Sequence, residues 1–419
     1  MSDWNHLLPS SHTDTFTRDR LPPREQWPVF IADRPELNYP GTLNATDELV
    51  DRHVREGRGT RVALHGVRDI ERQAEPFAWT YAQLQEQVNR IAQVLRDDMG
   101  LVPGNRILLR GGNSPMMAAC LLATIKAGLV AVPTMPLLRA GELATIIDKA
   151  QVSAALCDSL LADELQPCTT AGHAHHTPSL RQVVLFRSAA DDGLEQRMQR
   201  HSASFNAHPT SRDDVCLIAF TSGTTGKPKG TMHFHRDVLA MCDLFPRHIL
   251  RMGEDDVVCG TPPIAFTFGL GGLLAFPLRY GASTVLLEKH TPETLLRTVA
   301  QYRATQCYTA PTMYRQMATM AKDFDLSSLR HPVSAGEALP DATRQLWEQA
   351  TGKVMTDGIG GTEVIHIYIS SAGAKVRRGA IGQVVPGYVA QIVDEDMQAV
   401  APGTVGRLAV RGPTGCKYL

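Results

Sequence analysis

The sequence has 419 residues, of which 43% are hydrophobic and 20% are charged, as in an ordinary soluble globular protein. Its 42 Lys and Arg residues nearly balance 43 Asp and Glu residues, so no bulk attraction to nucleic acid or anionic lipid is indicated. The length exceeds that of one small core and predicts two or three packed units.

The sequence shows no sign of export or membrane insertion. Residues 1–40 are polar and proline-rich, without the apolar core of a signal peptide. No uninterrupted apolar run approaches the ~20 residues of a membrane span. The eight cysteines are scattered and form no Cys-x-x-Cys pair, which favours reduced thiols over disulfides or a zinc site. We therefore expect a soluble, cytoplasmic protein.

The first part of the chain alternates predicted strands with predicted helices. Apolar spacing predicts helices within 42–56, from about 80 onwards, over 115–127 and over 139–150. Thr80 is the expected N-cap of the second of these helices. Short apolar runs predict strands at 61–65, 106–110, 129–133 and 154–157. This alternation is typical of a wound α/β sheet.

Between 161 and 209 the periodic pattern weakens. The segment contains His173, His175 and His176, which could be considered metal ligands. No acidic or cysteine partner lies nearby at helical or strand spacing, so we favour a solvated loop.

The alternation resumes at Val215 and continues to about residue 310. Strands are predicted at 215–220, 257–260, 284–287 and 306–310, and helices at 235–250 and 292–302. Two α/β units of similar build are the simplest interpretation. From Gly382 onwards, short strands at 384–388, 389–394 and 406–412 predict a small antiparallel or barrel-like β unit.

A loop rich in glycine, hydroxyl and lysine residues follows the predicted strand 215–220. Its first seven residues are Thr221, Ser222, Gly223, Thr224, Thr225, Gly226 and Lys227, and it continues through Lys229. Glycine lets backbone N–H groups approach an anion, and the lysines add positive charge, so the loop is predicted to bind polyphosphate, most simply ATP. A flexible linker is the alternative, but linkers do not usually follow a buried strand with so many ordered donors. Pro228 directly follows Lys227, which excludes the P-loop NTPase pattern.

Two later segments also combine glycine with functional side chains. The first, after a predicted strand at 353–355, consists of Thr356, Asp357, Gly358, Ile359, Gly360, Gly361, Thr362 and Glu363. It ends on one hydroxyl and one carboxylate, Thr362 and Glu363, beside flexible backbone, although an ordinary glycine turn with a surface glutamate would look the same. The second, Ser334–Pro340, reads on composition as a turn before a helix.

Together these segments resemble the adenylate-forming superfamily of acyl-CoA synthetases, peptide-synthetase adenylation domains and luciferases. The resemblance implies two sandwiched α/β subdomains plus a β subdomain, and it implies a role for each matching residue. Catalytic roles fall on Thr362, Glu363 and Lys229, with Glu363 also holding Mg²⁺. Nucleotide-binding roles fall on Thr221, Ser222, Gly223, Thr224, Thr225, Gly226, Lys227, Gly336, Glu337, Ala338, Asp357, Gly358, Ile359, Gly360 and Gly361.

A further stretch, Ile264–Gly272, places two phenylalanines beside glycines after a predicted strand. Binding pockets are mostly apolar and aromatic, although core packing would be the default interpretation of these residues alone. The resemblance instead implies that this region lines an acyl pocket. The implied substrate-contacting residues are Phe234, Ala265, Phe266, Phe268, Gly269, Ile359 and His366.

Nearly the whole chain resembles benzoate-type CoA ligases, especially 2-aminobenzoate–CoA ligases. The resemblance implies an acid–thiol ligase that uses ATP, Mg²⁺ and coenzyme A to activate an aromatic carboxylate. A fatty-acyl or other acyl-CoA synthetase, or a non-catalytic nucleotide-binding protein, stays open as an alternative. The sequence also leaves open whether the chain forms a homodimer.

The same resemblance implies a division of the chain. Residues 1–419 correspond to the AMP-binding N-terminal domain, with subdomains at about 45–210, at 211–375 with the ATP loops, and at 376–419, the last an incomplete β subdomain. The C-terminal domain of such enzymes, which carries a further lysine, is expected to be absent. On this basis the chain is expected to be weakly active.

Overall fold

The computed structural model describes residues 4–71, 77–221 and 228–419. Their strands build two large sheets and a two-stranded ribbon. The strands are β1 Val62–Val67, β2 Phe77–Thr80, β3 Arg106–Arg110, β4 Val130–Thr134, β5 Ala154–Asp158, β6 Gln182–Phe186, β7 Val215–Thr221, β8 Lys229–Phe234, β9 Val257–Gly260, β10 Ser283–Leu287, β11 Gln306–Thr309, β12 His331–Ser334, β13 Thr356–Gly360, β14 Ile367–Ser371, β15 Gln383–Val384, β16 Val389–Val393 and β17 Arg407–Arg411.

Helices connect the strands, as the alternating pattern predicts. They are α1 Phe16–Asp19, α2 Arg52–Arg55, α3 Tyr81–Gln93, α4 Pro115–Lys126, α5 Ala140–Ala150, α6 Gln166–Thr169, α7 Leu194–Met198, α8 His235–Phe245, α9 Thr267–Gly269, α10 Phe276–Tyr280, α11 Pro292–Tyr302, α12 Pro311–Ala318 and α13 Asp341–Thr351. Short π-helical segments extend α3 and α8, at Val94–Asp98 and Pro246–Leu250. In the part of the chain described, no helix is long and apolar enough to span a membrane.

The six-stranded sheet has the order β6-β5-β3-β4-β7-β8. Its first five strands are parallel, and β8 is antiparallel to β7 at one edge. Strands β3, β4 and β5 are buried along their whole length, which explains why they read as continuous apolar runs. The edge strand β6 lies in the segment where the pattern weakens and was not predicted, because its residues are only partly buried.

The nine-stranded sheet has the order β15-β14-β13-β12-β11-β9-β10-β1-β2. Its central strands from β13 to β1 are parallel, and antiparallel strands close both edges. The carboxyl ends of the parallel strands therefore meet along one edge of the sheet, where α/β proteins usually bind ligands.

The sheets do not divide the chain at the predicted boundary near residue 210. Strands β1 and β2, from the predicted first unit, join the nine-stranded sheet through β10. Strands β7 and β8, from the predicted second unit, join the six-stranded sheet through β4. Local periodicity identifies strands but not the strands with which they pair. The exchange of strands between the two predicted units could therefore not be predicted from the sequence pattern.

The C-terminal β unit is simpler than predicted. Strand β15 pairs with β14 and so belongs to the nine-stranded sheet. Strands β16 and β17 form a separate two-stranded antiparallel sheet, and the described residues contain no closed barrel. The predicted antiparallel pairing of this unit is confirmed, but its strands β16 and β17 form a two-stranded ribbon and not a barrel.

Helix α3 begins at a capping box, as expected from Thr80. The Thr80 hydroxyl accepts a hydrogen bond from the Gln83 backbone N–H at 3.2 Å, and the Gln83 side chain accepts from the Thr80 N–H at 2.9 Å. We expect Thr80→Ala to lower the free energy of unfolding by about 1 kcal/mol. Thr80→Ser keeps the acceptor and should lose much less. Urea unfolding of both variants checks this, and equal losses would contradict the capping role.

Candidate active site

The phosphate-loop motif begins where β7 ends. Thr221, the last residue of β7, pairs with Lys229, the first residue of β8, so the two ends of the loop lie side by side. Both are partly exposed. The remaining predicted residues of this loop lie outside the described residues: Ser222, Gly223, Thr224, Thr225, Gly226 and Lys227.

The second motif forms a strand and a turn. The strand predicted at 353–355 is wrong, because the motif's own residues Thr356–Gly360 form β13 and pair in parallel with β12. A 3₁₀ turn, Thr362–Val364, then carries the predicted hydroxyl and carboxylate. A Cβ atom at Gly360 would lie 2.7 Å from the carbonyl oxygen of His366, so this close approach requires glycine.

A cavity of about 480 Å³, which we call the polar cavity, lies at the carboxyl ends of β12 and β13. The predicted adenine-side loop and the second motif meet in its lining: Gly336, Glu337, Ala338, Leu339, Asp341, Arg344, Asp357, Gly358, Ile359, Gly360, Gly379, Ala380 and Ile381. Arg344 approaches the Asp357 carboxylate at 3.7 Å. Burial raises the pKa of Asp357, and Arg344 opposes that rise.

An adjoining cavity of about 340 Å³, which we call the aromatic cavity, lies beside it. Its lining residues are Pro262, Phe266, Thr267, Phe268, Ala335, Gly336, Gly360, Gly361, Thr362, His366 and Ile367. Gly336 and Gly360 line both cavities, so the two cavities adjoin at these glycines. Thr362, two residues after Gly360, lines the aromatic cavity. The structure brings together Phe266, Phe268 and His366, as the sequence predicts for an acyl pocket.

Four predicted substrate residues lie elsewhere. Ile359 lines the polar cavity, whereas Ala265 and Gly269 flank the aromatic cavity without lining it. The prediction for Phe234 is corrected, because its ring is fully buried in the core and lies 4.4 Å from the Lys417 ammonium. Its position on β8 turns its side chain into the core, and local sequence does not reveal that orientation.

Lys229 and Glu363 are joined by a residue that sequence reasoning missed. The Tyr418 hydroxyl donates to the Glu363 carboxylate at 2.8 Å, and the Lys229 ammonium lies 5.3 Å from the centre of the Tyr418 ring. Burial and the hydrogen bond to Glu363 raise the pKa of Tyr418. Thus two predicted catalytic residues contact one tyrosine.

Tyr418 reaches this position because residues 417–419 pair with β8. The Met232 N–H donates to the carbonyl of Lys417, and the Leu419 N–H donates to the carbonyl of Gly230, both at 2.8 Å. Lys417 is fully buried and bonds the Asp237 carboxylate at 3.1 Å. No local pattern around residue 418 indicates these contacts, since they depend on a strand almost two hundred residues earlier.

Glu363 is the predicted metal-binding residue, and it is partly exposed. No cluster of three or more His, Cys, Asp or Glu side chains that could hold a metal occurs among residues 4–71, 77–221 and 228–419. A single carboxylate can take part in Mg²⁺ binding when oxygens of a bound phosphate and water supply the other ligands.

The family assignment follows from comparison with known proteins. The family model described as AMP-binding enzyme matches residues 50–417. The chain belongs to the AMP-binding enzyme family. Benzoate–CoA ligase of Thauera aromatica is 33% identical over 385 residues, which cover 91% of this chain and 70% of that protein.

Solved structures agree with this AMP-binding assignment. An anthranilate CoA ligase, AuaEII, in complex with anthranoyl-AMP superposes with a TM-score of 0.83 at 29% identity, covering 91% of this chain and 72% of that one. A benzoate CoA ligase from Burkholderia xenovorans LB400 gives a TM-score of 0.79 at 27% identity, covering 89% and 72%. The predicted fold class, that of the N-terminal domain of adenylate-forming enzymes, is thereby confirmed.

Proposed function

We propose that this AMP-binding enzyme activates an aromatic carboxylate with ATP and transfers the acyl group to coenzyme A. The observation that carries the proposal is that the polar and aromatic cavities adjoin at Gly336 and Gly360. An apolar acid in one cavity would meet a nucleotide in the other beside Thr362. The names of the relatives, benzoate–CoA and anthranilate–CoA ligase, support this class of acid.

The first half-reaction joins two anions. A carboxylate oxygen of the acid attacks the α-phosphorus of ATP, pyrophosphate leaves, and a mixed acyl–AMP anhydride forms. Preorganised donors and cations must therefore stabilise the charge that develops. In this proposal the Thr362 hydroxyl binds the α-phosphate, and Lys229 with the loop from Thr221 binds the phosphate chain. Glu363 holds Mg²⁺, which neutralises phosphate charge when it is bound.

The second half-reaction releases AMP. The coenzyme A sulfur attacks the acyl carbon, the thioester forms, and AMP leaves with the electrons of the broken anhydride bond. The aromatic walls Phe266 and Phe268 hold the acyl group in both steps by apolar contact.

A thermal-shift screen tests the function without requiring turnover. Benzoate, 2-aminobenzoate and octanoate are each added with Mg-ATP, and each ligand alone serves as the control. Binding stabilises the folded chain by about 2.7 kcal/mol at a hundredfold excess over Kd. We expect a benzoate to raise Tm beyond Mg-ATP alone, with octanoate giving little. A larger shift with octanoate would favour fatty-acyl activation, and no shift with any acid would contradict the ligase proposal.

A further inference from the structure

One wall of the aromatic cavity comes from residues 262–268, which follow strand β9 but lie outside it. The Thr261 N–H still donates to a carbonyl of β11, at 3.0 Å. Pro262 and Pro263 carry no N–H, so the strand ladder cannot continue through them. The carbonyl of Pro262 and the N–H of Ile264 therefore need partners from outside the sheet.

The side chain of Asn113 supplies both partners. Its Nδ2 donates to the carbonyl of Pro262 at 3.0 Å, and its Oδ1 accepts from the Ile264 N–H at 2.9 Å. A backbone carbonyl can only accept and a backbone N–H can only donate, so each end of the Asn113 amide has a fixed role. The same pair of bonds, one given and one received, joins neighbouring strands. The carboxamide of Asn113 thus takes the place of a strand beside these residues.

Asn113 itself belongs to the other large sheet. It lies between β3 and Ser114, the N-cap of α4, and is only 6% exposed. The Ser114 hydroxyl accepts from the Met117 N–H at 3.2 Å, which fixes the start of the helix next to Asn113. Asn113 lines neither the polar nor the aromatic cavity. It therefore connects the six-stranded sheet to the cavity wall from behind.

The wall segment is also held closely at its other end. A Cβ atom at Gly269 would lie 2.1 Å from the carbonyl oxygen of Pro263, and the Phe266 N–H donates to that carbonyl at 3.0 Å. With the Asn113 amide at one end and Gly269 at the other, the backbone that carries Phe266 and Phe268 has one defined position. Such preorganisation matters, because a displacement of about 1 Å can cost a rate factor of about a hundred.

We propose that Asn113 is a positioning residue for the acid, which holds the wall of the aromatic cavity in place without contacting the substrate. This rests on the proposed function, since it assumes that the aromatic cavity holds the acyl ring. The polar cavity is lined by other segments, from residues 336–344, 357–360 and 379–381. Loss of the Asn113 amide should therefore weaken the acid site and spare nucleotide binding.

Two substitutions test the amide. Asn113→Leu removes both hydrogen bonds at similar volume, and Asn113→Asp keeps the shape and the acceptor but removes the donor. Kd for benzoate and 2-aminobenzoate is measured by calorimetry with Mg²⁺ and α,β-methylene-ATP, and kcat and KM come from pyrophosphate release with ATP. In both variants we expect kcat/KM for the acid to fall roughly tenfold to a hundredfold and the acid Kd to rise. Kd for α,β-methylene-ATP alone should stay within about threefold.

Asn44 provides a matched control for general destabilisation. It is also 6% exposed, and its Nδ2 donates to the carbonyls of Ile125 at 3.0 Å and His208 at 3.2 Å. None of these three residues lines either cavity. Asn44→Leu should lower Tm about as much as Asn113→Leu, because each leaves buried backbone groups unpaired. The acid Kd of Asn44→Leu should nevertheless stay within about twofold of that of the unmodified chain.

Hydrogen exchange decides the question if neither Asn113 variant folds. The proposal requires a stable bond between the Asn113 side chain and the Ile264 N–H, so this amide should exchange roughly a hundredfold or more slowly than in an unfolded chain. It is measured in the unmodified chain by mass spectrometry with fragmentation of the peptide that contains Ile264. Unprotected exchange at this amide would overturn the proposal.

The other outcomes are equally distinct. If a folded Asn113→Leu binds and activates the acids within about twofold of the unmodified chain, the role of Asn113 is overturned and the proposed function stands. Equal losses of acid and nucleotide binding, or the same loss of acid binding in Asn44→Leu, also overturn it. If the unmodified chain neither binds an aromatic acid nor releases pyrophosphate with one, the proposed function fails, and this inference fails with it.

Discussion

Glu363→Gln is expected to slow acyl-adenylate formation roughly a hundredfold to ten-thousandfold, because the substitution removes the charge that would hold Mg²⁺ while keeping the side-chain shape. Glu363 is the carboxylate of the 3₁₀ turn beside the two cavities, and its partner Tyr418 also contacts Lys229. The loss should therefore fall on kcat and on the apparent affinity for Mg²⁺.

The measurement is pyrophosphate release at increasing Mg²⁺ concentration. Glu348→Gln is the matched control, since Glu348 is exposed on α13 and does not line either cavity. It should behave like the unmodified chain. Tyr418→Phe keeps the ring beside Lys229 but removes the hydrogen bond to Glu363, so it should change the Mg²⁺ dependence far less than Glu363→Gln. If Glu363→Gln kept more than about a tenth of the rate, its role as metal ligand would be refuted.

The sequence predicts those parts of the fold that short-range patterns control. The cap at Thr80, the buried strand before the phosphate loop and the helix beginning at Pro115 all appear where expected. Each depends on spacing or on a residue type within a few positions. The confirmed family adds the sheet architecture, which local periodicity alone could not provide.

The missed features all depend on contacts between distant segments. The pairing of β1 with β10, across more than two hundred residues, places β1 in the nine-stranded sheet. Tyr418 reaches Glu363 only because residues 417–419 lie along β8. Phe234 was expected in the acyl pocket and instead packs in the core, because the direction of a strand side chain depends on which face of the sheet is covered.

Lys417→Met is expected to lower the free energy of unfolding by about 3–5 kcal/mol, because it leaves the Asp237 carboxylate buried without its cation. Both residues are 0% exposed, and their charged groups lie 3.1 Å apart. The Lys417 ammonium also donates to the carbonyl of Gly415 at 3.0 Å and lies 4.4 Å from the Phe234 ring centre. Methionine fills a similar volume but replaces none of these interactions.

Urea unfolding of the single and double variants measures the coupling. The double variant Lys417→Met/Asp237→Asn also lacks the buried carboxylate. Its loss in free energy of unfolding should therefore be smaller than the sum of the losses in the two single variants. Lys322→Met provides the control, since Lys322 is exposed in a 3₁₀ turn and should change stability by less than about 0.5 kcal/mol. A loss below about 1 kcal/mol in Lys417→Met would mean that the pair behaves like a surface ion pair.

The pH dependence supplies an independent check on the same pair. Burial would raise the pKa of Asp237, but the charges of Lys417 and Arg236, with the His233 imidazole 3.8 Å away, outweigh it and hold this pKa well below its usual range. In the unmodified chain the ionised Asp237 therefore stabilises the fold at pH values above the pKa that Asp237 has in the unfolded chain. This stabilisation is lost as the pH falls towards the lower pKa of the folded chain. Without Lys417, burial should raise the pKa of Asp237 in the folded chain above its value in the unfolded chain. The buried, unpaired carboxylate then destabilises the fold at high pH, and this penalty disappears as Asp237 takes up a proton. The stability difference between the unmodified chain and Lys417→Met should accordingly narrow from about pH 8 towards about pH 5, whereas a difference independent of pH would indicate lost packing alone.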